Sequence, residues 1–204
     1  MRRPPLLPTL VVLLAVGAMI ALGVWQLHRL AWKEAMLARF ATAEQISAPL
    51  VVTGDTLPRD AGYRHVQWTC PQTSADQVVG GRNIAGRSGW AHVVLCIHRS
   101  GEVATLLPVV IGWSFSVAPV KWTGGLLTGV AVPGIKTGVV LPGQTALSRN
   151  ADWHIVADPP LAGLVANARP DPRDIANNHL SYAIQWFFFA ATALVIYLLA
   201  LRKR

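Results

Sequence analysis

The chain has 204 residues, of which 52% are apolar and only 14% charged, against roughly 25% charge in an ordinary soluble domain. That deficit excludes a disordered chain and argues against a fully soluble globule. The formal charge of +8 does not make a nucleic-acid binder, because +5 of it sits in Arg2, Arg3, Arg202, Lys203 and Arg204 at the two ends. Between Arg29 and Asp174, 13 Lys and Arg face 10 Asp and Glu, with no clustered basic face.

In chain order, the first element is an uncharged run from Pro4 to Leu27, with its apolar heart at Leu10–Val24. Pro4, Pro5 and Pro8 stand at its start, where a helix tolerates them best. Two readings are open. Arg2-Arg3 and the Ala15-Val16-Gly17 tripeptide would serve a cleaved signal peptide. Hydrophobicity that continues to Val24, closed by the interfacial ring of Trp25, fits a retained anchor, and this is the reading we take. Trp25 to Glu44, rich in Ala, Leu, Arg and Glu, is expected to carry the helix beyond the membrane.

The middle reads as β structure. Short runs rich in Val, Ile, Thr and Trp fall at Leu50–Gly54, Tyr63–Cys70, Trp90–His98, Val103–Phe115, Leu126–Val132 and Trp153–Val156, separated by Gly and Pro. Six such strands suggest a small barrel or sandwich. Gly80–Gly86 is glycine-rich but lacks the Lys-Ser/Thr of a phosphate loop, and is read as a hairpin turn. Residues 158 to 174, with four prolines, read as an extended linker. A second uncharged run, Leu180–Leu201, gives about 33 Å of helix, enough for a hydrocarbon core of ~30 Å.

The expectation is therefore a membrane α+β protein. Residues 1–6 form a cytoplasmic tail, 7–27 and 180–201 are transmembrane helices, and 202–204 form a second cytoplasmic tail. Residues 28–179 form the β-rich domain, on the far side of the membrane by the positive-inside bias. Arg29 and Lys33 beside the first span run against that bias, but a segment this long crosses largely regardless of charge.

Catalytic motifs are scarce, and no catalytic residue is assigned. The sequence has no G-x-S-x-G and no H-E-x-x-H. His65, His92, His98 and His154 lack metal-ligand spacing and read as structural or surface residues; a pocket joining His92, His98 or His154 to a carboxylate would reopen hydrolase chemistry. Cys70 and Cys96 are either a disulfide between strands or two small buried residues.

His179 stands apart by position. It is the last polar residue before the second run, and on a helix it shares a face with Tyr182 and Trp186 at i+3 and i+7. At the outer end of the first run, Trp25, Arg29, Trp32 and Lys33 follow helical spacing. Exit and re-entry put both groups at one interfacial height. Such a rim would suit a haem, with His179 ligating the iron through a neutral imidazole. Arg29 and Lys33 would then pair with propionates, and Trp25, Tyr182 and Trp186 would wall the ring. The alternative is an aromatic belt with snorkelling cations. Covalent c-type attachment is excluded by the lack of C-x-x-C-H.

The run G-V-W-Q-L-H-R-L-A-W-K from Gly23 to Lys33 resembles a signature of the Surfeit locus protein 1 family. N-N-H-L-S-Y-A-I-Q-W, from Asn177 to Trp186, resembles that family's second signature. Gly112-Trp113 and the glycines from Gly124 to Gly134 resemble family blocks more loosely, and Val109-Val110-Ile111 stands where members often carry Asn-Arg. The resemblance implies an assembly factor for haem-copper cytochrome c oxidase rather than an enzyme. It also implies transient haem a as the guest, His179 as its ligand, and the oxidase catalytic subunit and haem a synthase as partners. The implied location is the bacterial inner membrane, or the mitochondrial inner membrane in a eukaryote. A cofactor-free scaffold for an oxidase subunit is the alternative.

Overall fold

The computed structural model describes residues 5–100, 103–134 and 153–203, so Arg2, Arg3 and Arg204 of the basic tails lie outside the described residues. Two compact units emerge: one from residues 1–38 with 175–204, the other from residues 39–174.

The first unit is built on α1 (Leu6–Glu44) and α2 (His179–Arg202), both long and apolar enough to cross a membrane. At ~1.5 Å per residue, the 39 residues of α1 extend about 58 Å, so one unbroken helix runs well past the apolar stretch. The inward positions of α1 recur at Thr9, Val12, Val16, Met19, Gly23 and Gln26, in alternating steps of three and four. That is the 3.5-residue period of a left-handed helix pair. On α2 the matching face carries His179, Ala183, Trp186, Ala190 and Tyr197. Thr9 bonds Tyr197 and Gln26 bonds His179, which makes the pair antiparallel. Lipid is as apolar as leucine, so small residues that allow close approach occupy such seams. Gly23 is buried, and a Cβ there would come within 2.6 Å of the Phe187 ring.

The second unit is a mixed sheet of seven strands: β1 (Leu50–Val52), β2 (His65–Cys70), β3 (Gln77–Arg82), β4 (Ser88–Ser100), β5 (Val103–Ser114), β6 (Gly125–Pro133) and β7 (Trp153–Ala157). Their order is β1-β2-β6-β7-β5-β4-β3, with parallel pairs only at β1·β2 and β5·β7. The sheet is strongly curled. Three strands separate β2 from β4, a span of roughly 19 Å in a flat sheet. Yet Cys70 of β2 and Cys96 of β4 are joined by a disulfide, with Cα atoms 5.4 Å apart. Just beyond β2, Thr73 bridges Cys96, and Ile97 N–H donates to Gln72 O at 2.7 Å. The concave side holds the main core, including Val66, Trp68, Val94, Leu107, Val109 and Ile155.

Four expectations are corrected. Six strands become seven, because Gly80-Gly81-Arg82 belong to β3 and the turn is confined to the residues after them. The strand expected from Tyr63 begins at His65, since Tyr63 has φ 59 and turns the chain instead of extending it. The strand expected to reach Gly54 ends at Val52. The linker is not free: Val165 exchanges both backbone hydrogen bonds with Trp113, and Ala168 N–H donates to Arg82 O. Its leucines, Leu161 and Leu164, pack on the core, which is why it is held down.

Tyr63 carries a pH prediction. Its ring is 4% exposed and packs on Phe40, centroid to centroid 5.0 Å. Burial first, then the carboxylates of Asp174, Asp171 and Glu44, push its hydroxyl above the ordinary tyrosine value of 10.0. The neutral phenol is thus favoured in the folded state, so its contribution is complete below about pH 10 and is lost as pH rises beyond it. Alkaline denaturation titrations of the wild type and Tyr63→Phe should show a steeper loss of stability in the wild type above that pH. Equal slopes would refute this.

Candidate functional site

Gly23 brings the two helices together, and one helical turn further along α1 lies Gln26. There the His179 Nδ1 donates to Gln26 Oε1 at 2.7 Å. The acceptor is a carbonyl oxygen, so Nδ1 carries a proton, and in the neutral ring the lone pair falls on Nε2. His179 is half-buried in the seam and turned toward α1, not toward lipid. The fit to a haem iron is chemical: in its neutral form such an imidazole would offer Nε2 while its other nitrogen is already orientated, the usual condition of a ligating histidine.

The other expected rim residues divide. Trp186 and Lys33 are half-buried on the inward faces, with Trp186 edge-on to Phe189 at 6.2 Å. Trp25, Arg29 and Tyr182 are exposed on the flanks. The Arg29 guanidinium lies 4.5 Å from the centre of the Trp32 ring, a cation–π stack. Gln26 is the residue that sequence reasoning passed over. The signal lay in the small-residue face, since Gln26 follows Val16 and Gly23 at seam spacing whereas Trp25, Arg29 and Trp32 mark the adjacent flank.

Two histidines of the sheet unit, His92 and His154, are held by hydrogen bonds within it, and the surroundings of His92 are of chemical interest. His92 and Asp76 are almost wholly buried and joined at 2.7 Å from Nδ1 to Oδ2, while His92 Nε2 lies 2.8 Å from Ser114 Oγ. Asp, His and Ser at these distances have the outline of a nucleophilic triad. The hydroxyl, however, donates its single hydrogen to Ser116 O at 2.8 Å, leaving Oγ an acceptor toward the ring. In that arrangement the hydroxyl proton is directed to Ser116 O rather than to the ring. His154 Nδ1 is bound to Gly134 O at 2.7 Å. His65 borders a cleft of about 330 Å³ with Glu44, Asp158, Asn167 and Arg169. No group of three or more metal-binding side chains occurs among the described residues.

Comparison with family models matches residues 13–191, most of the chain, to the SURF1 family. The chain belongs to the SURF1 family. Among curated proteins, none matches it. Membership makes it a relative of cytochrome c oxidase assembly factors, as the two terminal signatures imply. The SURF1 match begins within α1 and ends within α2, so it takes in both sides of the His179–Gln26 contact.

Proposed function

We propose that this chain assists delivery or insertion of haem a into the catalytic subunit of cytochrome c oxidase, with haem a synthase as the upstream partner. The observation that carries the reading is the His179–Gln26 bond, which leaves Nε2 as a lone-pair donor at the end of a membrane helix. Haem, when bound, supplies an iron that accepts that lone pair and propionates that Arg29 and Lys33 can pair with. Trp25, Tyr182 and Trp186 offer apolar faces for the ring. The reading assigns no catalysis to the chain. It places both termini in the cytoplasm and the sheet in the periplasm, or in the intermembrane space of a mitochondrion. The Cys70–Cys96 disulfide supports an oxidising compartment for the sheet.

A second reading, a cofactor-free scaffold for an oxidase subunit, is favoured by the outward exposure of Trp25, Arg29 and Tyr182, which suits helix–helix docking. Cells making the oxidase with His179→Ala in place of the wild type discriminate between the two. Delivery predicts catalytic subunit that still co-purifies with the variant but carries several-fold less haem a. Unchanged haem a in that subunit would leave the scaffold.

A further inference from the structure

We infer that Gln26 is a positioning residue that sets how tightly His179 holds its guest, making the ligand strong enough to capture and weak enough to release. The inference rests on the haem reading above. Across the seam, Gln26 Oε1 accepts the Nδ1 proton at 2.7 Å, which fixes both the tautomer and the plane of the ring. The character of that acceptor decides the basicity of Nε2. A carboxylate draws the proton and gives the ring imidazolate character, a stronger donor to ferric iron; a neutral amide leaves an ordinary imidazole. Without any acceptor, the ring can turn in the seam and place its proton on either nitrogen. An amide therefore holds an intermediate position, which suits a protein that must pass its cargo on.

A purely structural role is the competing explanation, since a polar pair in a helix seam also fixes register. Register depends on a hydrogen bond being present and is indifferent to iron chemistry. The two roles separate in a titration of the full-length protein in detergent with ferric haem b, followed by its Soret band. Midpoint potential and the rate of haem capture by apomyoglobin complete the readout. Four proteins are compared: wild type, Gln26→Leu, Gln26→Glu and His179→Ala. Gln26→Leu should bind about 10–100-fold more weakly, the usual cost of losing such an orienting partner. Gln26→Glu, which keeps length and acceptor, should lower the midpoint potential and slow the capture by apomyoglobin. Wild-type affinity in Gln26→Leu, or wild-type potential and capture rate in Gln26→Glu, would overturn the inference. If His179→Ala also binds like the wild type, the ligand assignment itself falls, and with it the role of Gln26.

Discussion

Replacing Asp76 with alanine is expected to destabilise the sheet unit by about 3–5 kcal/mol, the cost of stranding one member of a buried pair. His92 and Asp76 side chains are 0% and 1% exposed, so neither group can turn to water once its partner is gone. Asp76 Oδ2 also accepts the Val120 N–H at 2.9 Å, which ties the segment after β5 to the one before β3. The His92–Ser114 contact links β4 to the end of β5, next to the irregular register between His92 and Val93. One carboxylate thus holds three stretches of chain. Denaturant titration of full-length protein in detergent measures the effect. Replacing both partners with apolar residues of similar size should recover much of the loss, because no buried charge is then left alone. A cost below about 1 kcal/mol for Asp76→Ala would contradict the account of this pair.

Removing the disulfide should have an effect of similar size. The Cys70–Cys96 bridge closes 26 residues of sequence, for which chain entropy gives about 3.5 kcal/mol. Its place in the fold adds to the expectation, because it pins the first and last strands of the curled run β2-β6-β7-β5-β4 across the core. Both cysteines are almost fully buried, at 1% and 0% exposure, so the double Cys→Ala variant also loses packing. We expect a clearly lower unfolding midpoint in that variant, and a smaller fall, from the lost crosslink alone, when the wild type is unfolded in a thiol reductant. Identical midpoints with and without reductant would show that the bridge contributes nothing.

The parts of this fold that were legible in the sequence are those whose signal is local. Two uncharged runs of membrane length marked α1 and α2, and Val- and Trp-rich runs marked six strands. β3 was missed because Q-V-V-G-G-R is a half-exposed edge strand whose glycines carry the signature of a turn. Strand order was not legible, since β2 pairs with β6 some 60 residues away and nothing local encodes that choice. The disulfide was left open for the same reason: spacing alone does not say that the sheet curls. At the rim, chemistry drew attention to the large and charged side chains Trp25, Arg29 and Trp32. Packing in lipid selects small residues, so the seam ran through Val16, Gly23 and Gln26 instead. His179 stood out in the sequence by its place at the membrane rim, whereas its contact with Gln26 required the structure.

The most direct measurement is the haem a content of the purified protein from cells that make haem a, with wild type and His179→Ala compared by absorbance per mole of protein. The account predicts substoichiometric but definite haem a on the wild type, and a loss of most of it in the variant. Equal haem a on both proteins would contradict it.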